Sequence, residues 1–91
     1  MNISTAQLSF DTNFGKIFDN PEYCLKNQKD EIPSQWHISL NKDTLKKLYT
    51  YYVYWENILL GTIKVYNSEK KESYIEEDAK QKFCNFLKEV A

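Results

Sequence analysis

Two neighbouring segments rich in aromatic and β-branched residues constrain this fold most strongly. They run from Tyr49 to Trp55 and from Leu59 to Tyr66, with the polar Glu56-Asn57 between them. Residues of these types favour strands and the polar stretch favours a turn, so the pattern predicts an antiparallel hairpin. Pairing odd-numbered with odd-numbered residues requires a loop of odd length. We therefore expect three residues, Glu56-Asn57-Ile58, with Asn57 or its neighbour in the left-handed region.

The odd register separates the side chains of the hairpin into two faces. One face gathers Tyr49, Tyr51, Val53, Trp55, Leu59, Ile63 and Val65, with Gly61 leaving room for a bulky neighbour. The other face carries Tyr52, Tyr54, Leu60 and Tyr66 among Thr50, Thr62 and Lys64. We expect the first face to pack under a helix.

The C-terminal segment predicts that helix, from about 74 to 89. Ser73 and Glu76 are spaced as a capping box, in which each side chain accepts from the backbone N–H of the other residue. Apolar residues then recur at helical spacing at Ile75, Ala79, Phe83, Phe86, Leu87 and Val90.

The remaining chain adds shorter elements. Alternation predicts a strand at Gln35–Leu40, which a turn at Asn41–Asp43 joins to a long strand from about 46. Alternation also predicts a strand at Ala6–Phe10, followed by a short helical turn that Asp11 caps and Asn20-Pro21 ends or restarts. Lys26–Glu31 is polar and predicts a loop.

Together these elements predict one α+β domain over residues 1–91. Its core is a small antiparallel sheet of three to four strands, a meander with a C-terminal hairpin, packed on the C-terminal helix. A short N-terminal strand and helical turn complete it. Whether the first 34 residues cover the even-numbered face of the hairpin or leave it free is open.

Composition excludes several classes of function. The net charge is −1 and all 12 basic residues are lysine, so neither a DNA-coating basic patch nor a bidentate arginine clamp is available. With two glycines there is no phosphate-cradling loop. No apolar run is long enough to span a membrane and the start lacks the features of a secretory signal, so we expect a cytoplasmic protein without a membrane partner.

Catalytic and metal-binding constellations are also missing from the sequence. The single histidine, His37, has no nucleophile motif around it, and Cys24 and Cys84 are too far apart in sequence for a zinc or redox motif. The acidic run Glu76–Asp78 is accounted for by the start of a helix. We expect no enzyme activity, no cofactor, no metal site and two buried free thiols.

The even-numbered face of the hairpin is the candidate site. Tyrosine offers a large rigid contact area with a polar tip, which favours a protein interface. The predicted partner-binding residues are His37, Tyr52, Tyr54, Leu60, Thr62, Lys64 and Tyr66. The expected partner is a protein, or a nucleoprotein complex.

Two alternatives stay open. The same tyrosines could stack on single-stranded nucleic acid, with Lys46, Lys47, Lys64, Lys70 and Lys71 along the phosphates, although interspersed glutamates weaken that field. An edge strand, Gln35–Leu40 or Ala6–Phe10, could also pair with a second copy, so the chain is a monomer or a homodimer.

In size, in a composition favoured by AT-rich codons and in its lack of catalytic residues, the chain resembles a type of small inhibitor. Phages and mobile elements encode such proteins against host defence, anti-CRISPR proteins among them, and toxin-immunity proteins are similar. The resemblance is carried by no particular residue. It implies a stoichiometric inhibitor that occupies a surface of its target.

Overall fold

The computed structural model describes residues 3–67 and 69–90. The chain begins with three helices, α1 (Ile3–Asp19), α2 (Pro21–Lys26) and α3 (Gln28–Glu31). Four strands follow: β1 (Trp36–Asp43), β2 (Leu48–Trp55), β3 (Ile58–Tyr66) and β4 (Lys70–Ile75). Helix α4 (Glu77–Val90) ends the described chain. The strands form one antiparallel sheet in the order β1-β2-β3-β4, so the predicted α+β meander with a C-terminal helix is confirmed.

The β2–β3 hairpin reaches the expected register by an unexpected route. Its loop has two residues, Glu56 and Asn57, because Ile58 already pairs with Trp55, so the predicted three-residue loop is wrong. A bulge at Leu60 then inserts one residue into β3, and Val53 pairs with Gly61. From there on odd-numbered residues face odd-numbered ones, as predicted. Glu56 has a φ of 54°, which agrees with a left-handed residue next to Asn57.

The C-terminal helix begins later than predicted because a fourth strand comes before it. Ser73 lies in β4, opposite Ile63, so the predicted capping box at Ser73 is wrong. The backbone N–H of Glu76 donates to the carbonyl of Leu60 at 2.8 Å, and Glu76 accepts from Lys80 at 2.9 Å. The strand therefore continues to Ile75 and α4 starts directly after it. The side chain of Val90 lies outside the described residues.

The N-terminal strand predicted at Ala6–Phe10 is a helix. In α1, the residues buried at helical spacing are Ala6, Phe10, Phe14 and Ile17, whereas Leu8 is 65% exposed. Asp11 lies inside this helix and caps nothing. The restart at Asn20-Pro21 is confirmed, because the Asn20 side chain accepts from the backbone N–H of Tyr23 at 3.3 Å.

Two further boundaries differ from the predictions. The segment Lys26–Glu31, predicted as a loop, contains the end of α2 and the single turn α3. Strand β1 continues through the predicted turn Asn41–Asp43, and residues 44–47 form the turn instead, with Lys47 at a φ of 53°. The second strand therefore starts at Leu48 rather than at about 46.

The core lies between the sheet and the helices and is centred on aromatic rings. Phe83 of α4 contacts Trp55 edge to face at 5.2 Å between centroids, and Phe10 of α1 stacks on Phe14 at 5.7 Å. Trp36 packs against both Phe10 and Phe83. The predicted packing of α4 on the odd-numbered face of the hairpin is confirmed. Cys24 and Cys84 are buried free thiols in the same core, also as predicted.

Candidate binding face of the sheet

The sheet has one face in the core and one facing away from it, which we call the outer face. Strand side chains alternate between faces, and the buried residues of β1 and β2, Trp36, Ile38, Tyr51, Val53 and Trp55, all belong to the core face. Helices α1, α2 and α4 contribute their buried residues to this same cluster. Among the side chains that the structure describes, residues 6–67 and 69–87, none of a helix is buried against the outer face. Residues 6–34 therefore leave the hairpin's tyrosines uncovered.

Strand pairing arranges the outer face in four rows. Residues in a row lie on adjacent strands about 4.8 Å apart, so their side chains contact each other. One row holds Ser39, Tyr52, Thr62 and Tyr74, and the next holds His37, Tyr54 and Leu59. On the other side lie Asn41, Thr50, Lys64 and Glu72, followed by Asp43, Leu48, Tyr66 and Lys70.

Six of the seven predicted site residues lie together in these rows. Their role in binding stays a prediction. The seventh, Leu60, is fully buried in the core, so the prediction that it lies on the exposed face is wrong. The bulge turns Leu60 inward and leaves Leu59, which the sequence assigned to the core, on the outer face opposite Tyr54.

The structure also adds residues that sequence reasoning missed. Tyr74, assigned to the start of the helix, lies on β4 and is 63% exposed. It stands opposite Thr62, with Tyr52 on the far side of that threonine. The two tyrosines are thus two strand spacings apart, roughly 10 Å. Residues 70–74 do not alternate between apolar and polar side chains, so the sequence carried no clear signal of this strand.

A shallow depression lies on the Tyr74 side of the outer face. It has a volume of about 420 Å³ and is lined by Thr62, Lys64, Glu72, Ser73 and Tyr74. Four of these residues have polar or charged side chains and Tyr74 is the aromatic one. This geometry suits one inserted side chain of a partner better than an enclosed small molecule.

Charges on the outer face largely compensate each other. Glu72 accepts from the Tyr66 hydroxyl at 3.4 Å and forms an ion pair with Lys70 at 3.1 Å. Lys71 points to the core side instead, where its ammonium donates to the carbonyls of Phe18 and Asp19, each at 2.9 Å. The lysines considered for phosphate contacts therefore do not follow one track.

The reactive side chains are placed apart from one another. His37 is exposed beside Tyr54, whereas both thiols lie in the core, where burial raises the pKa of Cys24 and of Cys84. A raised pKa keeps a thiol protonated and unreactive. Among the described residues, no three His, Cys, Asp or Glu side chains are grouped so that they could hold a metal ion. No helix in that part of the chain is both long and apolar enough to cross a membrane.

Comparisons with protein-family models, with curated proteins and with solved structures found no match for this chain.

Proposed function

We propose that this protein is a non-enzymatic binding module whose outer face occupies a surface on one protein partner. The observation that carries the proposal is the set of uncovered tyrosines on the outer face: Tyr52, Tyr54 and Tyr66 are half-buried by their neighbours and Tyr74 is exposed. A tyrosine held by cross-strand neighbours loses little conformational freedom on binding, which is why such side chains dominate protein interfaces.

The outer face alone is too small to form a stable protein interface. Four strands spaced by about 4.8 Å, with about six residues each, present roughly 400 Å² in projection. A stable interface needs about 800 Å² from each partner. The neighbouring turns must therefore contribute, and the β1–β2 turn at the Tyr66 end of the sheet presents Leu45, which is 96% exposed.

The specific form that we propose is a stoichiometric inhibitor. It is of the kind that phages or mobile elements direct against host defence, or of the toxin-immunity kind, acting in the cytoplasm. Such a protein needs no chemistry of its own, and the thiols' burial and the lone exposed histidine agree with that role. A partner that is itself a nucleoprotein complex fits equally, because contact is made with its protein surface.

The test is affinity capture from lysate of the organism that encodes the chain, with and without nuclease. Tagged wild-type protein is compared with Tyr52→Ala and Tyr54→Ala. Tyr23→Ala is the matched control, because Tyr23 is 49% exposed on α2, on the helix side of the molecule. We expect a near-stoichiometric protein that survives nuclease and binds the outer-face variants at least about 30-fold more weakly, the loss typical of a hot spot.

Two outcomes contradict the proposal. If both outer-face variants capture the partner as wild type does, the outer face is not the site. If capture disappears with nuclease, the result favours the alternative, in which the protein binds single-stranded nucleic acid. Anisotropy with a labelled oligonucleotide would then show affinity falling steeply with salt and on Lys64→Ala.

A further inference from the structure

The sheet has two edge strands, and the edge of β1 is protected. The backbone of Ile38 points outward from β1, and the Gln28 side chain takes the place of a neighbouring strand there. Its Oε1 accepts from the Ile38 N–H at 3.0 Å and its Nε2 donates to the Ile38 carbonyl at 3.4 Å. The N–H of Trp36 is likewise bonded, to the carbonyl of Pro33 at 2.9 Å. This part of the edge is closed to another strand.

The edge of β4 is open. The N–H of Glu76 donates to Leu60, so even-numbered residues of β4 bond to β3 and the odd-numbered ones direct their backbone groups away from it. Those outward residues are Lys71, Ser73 and Ile75. In the described residues, no hydrogen bond is made to their outward backbone groups, and residues 70–74 are all exposed. The strand contains neither a proline nor a bulge, two common protections of an edge.

We propose that β4 pairs with β4 of a second copy of this chain, antiparallel about a two-fold axis at Ser73. In this register the outward groups of Lys71 meet those of Ile75 of the second copy, and Ser73 meets its own counterpart. Glu72 lies opposite Tyr74, and Lys70 lies opposite Glu76. Every backbone group on the open edge is then bonded, no like charges face each other, and two Lys70–Glu76 pairs form across the interface.

The neighbouring registers are unfavourable by charge. Moving the axis to Glu72 places this carboxylate opposite its own copy, and moving it to Tyr74 places Glu72 opposite Glu76. Like charges directly opposite each other destabilise an antiparallel pair. The charge pattern of Lys70–Glu76 is therefore self-complementary in the register centred on Ser73.

Lys71 does not block this pairing, although an inward-pointing lysine commonly guards an edge. Its ammonium is already bound by the last carbonyls of α1 and lies 5.1 Å from the centre of the Phe18 ring. The side chain is thus held over the core side of its own subunit.

The pairing would extend the sheet to eight strands with both outer faces on the same side, because the axis is perpendicular to the sheet. A dimer would present two tyrosine faces to a partner, and this consequence alone rests on the proposed function. The dimerisation itself is tested without any partner.

The first test is register-specific cross-linking with Ser73→Cys. In the proposed dimer the two Cα atoms at position 73 are about 5.5 Å apart, within the range that a disulfide spans. Glu72→Cys is the matched control, because position 72 and its copy are diagonal neighbours at roughly 7–8 Å, beyond that range. The native thiols are buried and do not compete. Under mild oxidation we expect the covalent dimer to form at least tenfold faster with Cys at 73 than at 72; equal rates would overturn the proposed register.

The second test measures association by sedimentation equilibrium over about 10 µM to 1 mM, the range expected for a small interface. We expect the mass to rise from 10.9 kDa toward twice that value for wild type and for Ser73→Ala. Ser73→Pro removes an outward N–H that β3 does not use, so it should remain folded and monomeric. A wild-type protein that stays monomeric at 1 mM would refute the pairing, whatever the fate of the outer-face variants.

Discussion

Gly61 is the position where a single methyl group should be most damaging. It lies on the core face of β3, opposite Val53 and Ile75. A Cβ built there would collide with the Tyr74 carbonyl oxygen and would lie 2.9 Å from the ring of Phe14. The oxygen belongs to the neighbouring strand's backbone, and the ring is buried and stacked on Phe10, so neither can move aside independently.

The expected cost of Gly61→Ala follows from these two contacts. Overpacking a core costs typically 1–3 kcal/mol, and two contacts below 3.0 Å, one of them to backbone, place this substitution near the top of that range. We expect a loss of about 3 kcal/mol in the free energy of unfolding. For a domain of this size that corresponds to a fall in Tm of roughly 12–24 °C.

Gly15→Ala is the matched control, and its expected effect on the free energy of unfolding has the opposite sign. Gly15 lies inside α1 and nothing lies within 4 Å of its added Cβ. Alanine there removes backbone freedom from the unfolded chain and should stabilise the protein by about 0.5–1 kcal/mol.

Both variants are measured by equilibrium unfolding in urea, followed by the fluorescence of the buried Trp36 and Trp55. A Gly61→Ala protein within 0.5 kcal/mol of wild type would refute the close approach of β4 and Phe14 to this residue. A destabilised Gly15→Ala protein would refute the open surface at α1.

Three further perturbations have defined outcomes. Lys71→Met removes the two hydrogen bonds to the C-terminal carbonyls of α1 and should destabilise by about 1 kcal/mol in the same urea assay; an unchanged midpoint would show that those bonds contribute nothing. Gln28→Ala exposes the backbone of Ile38 and should raise the rate of aggregation in light scattering, whereas an unchanged rate would show that the edge needs no cover. Cys24 and Cys84 should resist a thiol reagent until the protein unfolds. Because their pKa values are raised in the fold, stability should fall as the pH rises above the thiol's ordinary value of 9.0, and a flat profile would contradict that burial.

The sheet could be predicted from sequence because its signals are local. Aromatic and β-branched runs, alternation in β1 and the apolar stripe of α4 each need only a few neighbouring residues to be read. The core face of the hairpin followed from the same alternation, and Tyr51, Val53 and Ile63 are buried as expected.

The first half of the N-terminal helix was predicted as a strand because its apolar residues fit both the two-residue period of a strand and the period of a helix. Ala6, Leu8 and Phe10 alternate as in a strand, but Ala6, Phe10 and Phe14 also repeat every four residues as in a helix. Only the longer window, continued to Ile17, distinguishes the two. Tertiary packing then decides, because the helical spacing buries all four side chains while Leu8 is exposed.

β4 was missed for a different reason, since its residues carry almost no apolar signal. Five of its six residues are exposed, and its place in the sheet is supported mainly by backbone pairing with β3. Ser73 and Glu76 match a capping box by spacing. In the structure both residues interact with β3 instead, since Ser73 pairs with Ile63 and the N–H of Glu76 donates to Leu60. Backbone pairing with a neighbouring strand cannot be read from the propensities of exposed polar residues.

The bulge at Leu60 links these differences and determines the composition of the outer face. A two-residue loop alone would have paired odd with even residues along the whole hairpin and exposed half of the apolar side chains. The extra residue restores the register, places Leu60 in the core and directs its carbonyl to the N–H of Glu76, where β4 ends and α4 begins. One inserted residue thus returns the apolar side chains of the hairpin to the core face and fixes the start of the helix that covers this face. The outer face keeps Leu59 and the tyrosines. The residue of β3 that lies opposite Tyr54 is therefore Leu59, which alternation had assigned to the core.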